Sequence, residues 1–101
     1  MQDEIRTPRL YETEPLPVER KTIYQHWTIP QVNFHWLIAE YDPHEEIAFG
    51  YCNLNDREMA EWGYVSWKEV SENGGIKNET WKPCRFPKAL ERIKAEFGAD
   101  V

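Results

Sequence analysis

Residues 34–54 read F-H-W-L-I-A-E-Y-D-P-H-E-E-I-A-F-G-Y-C-N-L, and residues 55–70 continue N-D-R-E-M-A-E-W-G-Y-V-S-W-K-E-V. The first run predicts a strand over 34–41, with Phe34, Trp36 and Ile38 on one face and His35, Leu37 and Ala39 on the other. Neither face is polar throughout, which places the strand centrally in a sheet. Asp42-Pro43-His44-Glu45 fits a type I turn, with Asp at the first position and Pro at the second, where its fixed φ is already correct. Closure there would set Tyr41 opposite Glu46, Ala39 opposite Ala48 and Trp36 opposite Tyr51. The next strand, 47–54, alternates in size: Ile47, Phe49 and Tyr51 point one way, and Ala48, Gly50 and Cys52 the other. A face of small residues admits another element closely, and a helix is the natural occupant.

Beyond that hairpin, residues 55–58 form a turn or one short helical turn ahead of Gly63, and 63–65 a short strand. Ser66 and Glu69 stand at capping-box spacing, so a short helix starts there and stops at Asn73-Gly74-Gly75. Residues 76–85 read as irregular or as an edge strand, because Pro83 cannot sit in a central one. Pro87 opens the last helix, Leu90, Ile93 and Phe97 recur at helical spacing, and Gly98 ends it. On the N-terminal side, a strand begins near Lys21 and breaks at Pro30. Residues 1–19, with Pro8, Pro15 and Pro17 among charges, read as an extended arm that Leu10 and Tyr11 could anchor. The fold class is α+β: a small two-layer domain over 20–98, with an antiparallel sheet of about three to five strands, the C-terminal helix on one face, and a short second helix.

The length of 101 residues suits one domain, and 41% apolar with 14% aromatic residues suffices for one core. A mean hydropathy of -0.77 and the lack of a long apolar run exclude a membrane-spanning helix. The N-terminus is charged from Asp3, with no apolar core of a secretory signal, so the expected location is cytoplasmic and the two cysteines, Cys52 and Cys84, are expected as reduced thiols. Glu40, Asp42, Glu45, Glu46, Asp56, Glu58 and Glu61, set against Arg57 alone, amount to the whole net charge of -6. Such a balance makes nucleic acid an unlikely partner and leaves either a solvated surface or a docking face for a basic protein.

The residues that could carry chemistry are few. His26, His35 and His44 stand nine apart, but His44 falls in the turn, and no metal-ligand spacing is present. A tight turn at Pro30 would bring His26 across from His35, which with Cys52 makes at most a partial metal site. Cys84 sits between Lys82 and Arg85, surroundings that lower a thiol pKa, whereas Cys52 reads as a packing residue. Glu40 and Glu61, with Tyr64, form the one acid/base set the sequence offers. Five tryptophans could stack on single-stranded nucleic acid, or fill a core and an interface.

Several short motifs share an order and spacing. They are Leu10-Tyr11-Glu12-Thr13-Glu14, Trp36 to Glu40 as W-x-x-x-E, Phe49-Gly50-Tyr51, Glu61-Trp62-Gly63-Tyr64-Val65-Ser66 followed by Glu69-Val70, and Trp81-Lys82-Pro83. Together they resemble the small proteins grouped as domain of unknown function 2958, carried by plasmids, phages and integrative elements. Trp67 and Val70 depart from that pattern, where leucines are expected. The resemblance implies a compact intracellular domain in a mobile-element setting and a host-interaction or counter-defence role, and it supplies no activity.

The reading that results is a non-enzymatic protein-binding domain with an acidic surface, drawing on Trp36, Glu40, Glu45, Glu46, Tyr51, Glu58, Glu61, Trp62 and Tyr64. It expects a protein partner of basic character, leaves a homodimer open, and expects no cofactor and no membrane. The alternatives are a small enzyme or metal protein using Glu40, Glu61 and Tyr64 or His26, His35 and Cys52, and single-strand binding on an aromatic sheet face.

Overall fold

The computed structural model describes residues 6–101, so the first five residues of the predicted arm lie outside it. The elements are β1 (Thr22–Ile23), β2 (Gln25–Ile29), β3 (Phe34–Asp42), β4 (Ile47–Asn53), β5 (Glu61–Ser66), α1 (Trp67–Glu72), β6 (Ile76–Lys77), β7 (Cys84–Arg85) and α2 (Phe86–Phe97). The main sheet has five strands in the order β5-β4-β3-β2-β6, every neighbouring pair antiparallel; β1 and β7 form a separate two-stranded sheet. The chain is thus an α+β domain.

The run from Lys21 to Ile29 is divided at Tyr24, whose N–H donates to the Ile38 carbonyl at 2.8 Å. β1 leaves the main sheet at that point to pair with β7. β3 is central, as its two apolar faces require.

The β3–β4 register differs from the expected one for two reasons. The turn takes all four residues 43–46, with Glu46 in the left-handed region (φ 58), so the first pair is Asp42 with Ile47. The Asp42 carboxylate holds this loop by accepting from the His44 and Glu45 N–H groups. A bulge between Ile38 and Glu40 then slips the pairing by one, so Trp36 faces Cys52 and Leu37 faces Tyr51. Gly50 lies against the bulge: a Cβ there would stand 2.3 Å from the Leu37 carbonyl oxygen.

Each face of the sheet has its own core. On one, Leu37 and Ala39 meet Ile23 and the α2 residues Phe86, Ala89 and Ile93. Pro87 opens α2 and Gly98 (φ 68) closes it, as helix-terminus chemistry dictates. On the other face, Trp27, Trp36, Ile38 and Ala48 meet Val70 of α1. Trp67 packs its ring on Trp27 with centroids 4.9 Å apart. Ser66 caps α1 by accepting from the Glu69 N–H, and Gly74 (φ 91) lies in the turn beyond it. The two helices differ in reach. Twelve residues of α2 span about 18 Å, whereas six residues of α1 span about 9 Å. Much of the α1 face is therefore left without a helix. Among the described residues no helix is long and apolar enough to cross a membrane.

Candidate functional site

Two polar clusters and one apolar groove are the places where function could reside. The first cluster is a chain of side chains beneath α2. His26 and His35 are buried, their rings stacked 5.1 Å apart, and His26 Nε2 lies 2.9 Å from His35 Nδ1. His35 Nε2 reaches Asn33 Oδ1, and Asn78 Nδ2 reaches His26 Nδ1 at 3.0 Å. Neighbouring bonds fix both amides: Asn33 Nδ2 donates to the Phe97 carbonyl, and Asn78 Oδ1 accepts from the Thr80 N–H. The direction of the chain follows. Asn78 donates to His26, which donates from Nε2 to His35, which donates from Nε2 to Asn33. Both histidines are neutral Nε2–H tautomers with every ring nitrogen paired. Burial drives His26 down to about 3, helped by the charge His35 would carry, and burial drives His35 down to about 4.

The alternative metal set of His26, His35 and Cys52 does not come together. Cys52 pairs with Trp36 and belongs to the α1-face core, across the sheet from the histidines, and His44 is exposed in the 43–46 loop. Among the described residues no group of three or more His, Cys, Asp or Glu side chains is placed to hold a metal ion.

The second cluster ties down the N-terminal segment. Glu40 is 3% exposed, and its carboxylate accepts from the Tyr11 N–H (2.7 Å), the Thr13 N–H (3.0 Å) and the Thr13 hydroxyl. Lys21, 4% exposed, donates from Nζ to the Thr13 carbonyl at 2.6 Å and to its hydroxyl oxygen at 3.0 Å. Thr13 thus bridges a buried cation and a buried anion. The Tyr41 N–H adds a bond to the Pro8 carbonyl. Tyr11, Thr13 and Glu40 fall in two of the short motifs noted in the sequence, but nothing local joins them, because the side-chain partners are 8 to 29 residues apart.

The expected acid/base set is split between the two faces. Glu40 and Tyr64 border a hollow of about 400 Å³ with Lys21 and Tyr11. Glu61 borders the groove on the α1 face with Cys52 and Trp36. Glu40 is buried and already engaged by three donors from the N-terminal segment, which is a structural role. The cysteines are free. Burial raises the Cys52 thiol, as does the Glu61 charge, while a hydrogen bond with Trp36 opposes the shift. Burial raises the Cys84 thiol too, and this outweighs the opposing pull of Arg92 and Lys88.

The expected acidic surface is also divided. Glu45 and Glu46 are exposed in the loop before β4, and Glu58 is exposed in the loop after it. The seven residues of β4 separate the two loops by about 20 Å. Of the aromatics, Trp36 is buried on the α1 face, whereas Tyr51 and Trp62 lie edge-on to Phe86, with centroids 4.9 and 5.0 Å away, on the α2 face. No open stacking platform results. Trp27 and Trp67 pack on each other, and Trp81 lies against His26.

The groove lies on the α1 face, where the short helix ends. Ile29, Val32, Phe34, Trp36, Leu54 and Val65 bound an open volume of about 610 Å³. A second hollow of about 260 Å³ continues from it past Trp36, Leu54 and Val65 to Met59 and Gly63. Its floor exists because Gly50 and Gly63 are cross-strand partners with no side chains to fill it. Val32, Leu54 and Met59 are 48%, 47% and 76% exposed on these walls. The charged residues of the lining are Glu61 and Glu69, with no lysine or arginine. Val32, Leu54 and Met59 were not singled out in the sequence; an isolated glycine in each of two adjacent strands was the available signal.

No family model, curated protein or solved structure matches the chain.

Proposed function

We propose that this chain is a non-enzymatic protein-binding domain that holds an apolar and basic segment of a partner in the groove beside α1. One observation carries the reading: a continuous apolar groove on an otherwise well-packed sheet, walled by exposed Val32, Leu54 and Met59 and charged only by Glu61 and Glu69. Contiguous exposed apolar surface with a polar rim is characteristic of interaction sites. The polar clusters support the same reading from the other side, since their donors and acceptors are paired within the protein. A role as a mobile-element accessory protein agrees with the resemblance to domain of unknown function 2958.

The test is selection of a random twelve-residue peptide library, displayed on phage, on the folded protein. Enriched peptides should carry lysine or arginine with apolar residues. They should bind at least tenfold more weakly to Gly63→Val, which fills the trough, and to Leu54→Glu. A Cβ at Gly63 meets no atom within 4 Å, so a side chain can leave the backbone there without a clash. Failure to enrich any peptide, or peptides indifferent to both variants, contradicts the reading.

A further inference from the structure

The two edges of the main sheet are unlike. β6, at one edge, has two residues, one of them Lys77, whose ammonium lies 4.7 Å over the Trp67 ring. A short strand with a lysine is a guarded edge. β5, at the other, has six residues, E-W-G-Y-V-S, with no proline, no lysine and no bulge. Its register against β4 runs unbroken from Ile47 with Ser66 to Cys52 with Glu61.

Which backbone groups of β5 face outward can be deduced. The Trp67 N–H donates to the Glu46 carbonyl at 2.9 Å, one step beyond the Ile47–Ser66 pair. Antiparallel bonding alternates, so Val65, Gly63 and Glu61 bond to β4, and Trp62, Tyr64 and Ser66 turn their N–H and C=O groups away from the sheet. The trough over Gly50 and Gly63 opens beside this row. Charge near the edge is mainly acidic, the one cation in these two linings being the buried Lys21, whose ammonium is bonded to Thr13. Glu61 lies on the α1 face, and on the other face Glu14 and Glu40 border the hollow that Tyr64 shares. The Tyr64 phenol is held above its ordinary range, first by its hydrogen bond with Tyr11, then by burial, and also by the Tyr11, Glu40 and Glu14 charges.

We propose that β5 is an acceptor edge: a basic, extended segment of a partner protein adds to it as a further strand and lays one apolar side chain in the trough over Gly50 and Gly63. This rests on the groove reading above and specifies its geometry. Main-chain bonds to Trp62, Tyr64 and Ser66 would give affinity, and alternate side chains would give selectivity. The trough, at about 260 Å³, admits one large apolar side chain. Charge decides the occupant. A second copy of this chain would bring its own Glu61 and Glu14 against the same carboxylates, whereas a basic segment meets them with opposite charge.

The experiment uses a peptide selected as above and backbone amide hydrogen exchange followed by NMR. At saturation the Trp62 and Tyr64 amides should exchange at least tenfold more slowly than in the free protein. Tyr64→Pro, which removes one outward N–H, should weaken binding at least tenfold more than Tyr64→Ala, which keeps it. Unchanged exchange at Trp62 and Tyr64, with binding still lost in Gly63→Val, overturns strand addition and leaves the groove reading standing. Protection of these amides in the free protein at micromolar concentration, or a concentration-dependent dimer, gives the edge to the chain itself and also overturns the proposal. Selection of no peptide removes both readings. If Tyr64→Pro does not fold, the exchange measurement decides alone.

Discussion

Lowering the pH from 7 to 4 should unfold this domain through two named side chains. His26 and His35 are buried neutral, and in the folded chain they protonate only near about 3 and about 4. In the unfolded chain each takes a proton near the ordinary value of about 6.5. The unfolded state therefore binds more protons at every pH between those limits. Stability is complete above about pH 6.5 and declines as the pH falls through the window. Each histidine contributes a slope of about 1.4 kcal/mol per pH unit, so together they remove about 6 kcal/mol by pH 4. A loss of that size is comparable with the whole stability of a small domain, about 5–15 kcal/mol. The geometry gives the reason. A second proton on either ring would turn an acceptor nitrogen into a donor and set it against the neighbouring N–H, breaking a chain that also holds the Phe97 carbonyl at the end of α2. Urea denaturation at half-unit pH intervals measures the slope, and long-range proton–nitrogen NMR reads the tautomers, both expected as Nε2–H. A His26→Gln, His35→Gln double variant should lose most of the slope between pH 6.5 and 4.5. Stability flat across that window, or imidazoles titrating near 6.5 in the folded protein, would refute the reasoning.

Three further outcomes are expected. Gly50→Ala should cost about 3 kcal/mol, measured by denaturant titration, because the added Cβ meets the Leu37 carbonyl rather than a movable side chain; an unchanged midpoint would mean that the bulge relaxes freely. Glu40→Ala should cost about 3 kcal/mol by leaving the Tyr11 and Thr13 donors without an acceptor. Proteolysis should then cut between residues 8 and 16 before the body unfolds, and cleavage elsewhere first would count against the clamp. Both cysteines should react with a thiol reagent at pH 7.5 far more slowly in the folded protein than in urea, since burial raises both thiols; a rapid Cys84 would restore it as a nucleophile.

What could be read in the sequence was local. The bounds of β3 and β4 lie within a residue of those expected, because β-branched and aromatic runs flank a turn whose Asp and Pro are placed by their own backbone preferences. Pro87 and Gly98 likewise fix α2 without reference to the rest of the chain. The register was not legible. It depends on a four-residue loop closed by Glu46 and on a bulge that only the contact between Gly50 and Leu37 reveals. The turn at Pro30 brings His26 near His35 but not across from it, since His26 pairs with Leu37 and His35 with Thr28, and the asparagines that orient the pair come from positions 33 and 78. Glu40 was counted with the acidic surface because nothing local links it to the segment around Tyr11 and Thr13 that covers it, although Tyr11 was read as an anchor. The groove was hidden for a different reason: it arises from the shortness of α1 and from two facing glycines, and local patterning reports the side chains present, not the space they leave.

The binding site proposed here is the α1 face. Amide chemical-shift mapping with a selected basic peptide tests it most directly. The expected result is a set of perturbations confined to Val32, Phe34, Trp36, Leu54, Met59 and the β5 residues 61–65. Perturbations centred instead on α2, on the 43–46 loop or on the hollow beside Glu40 would contradict it.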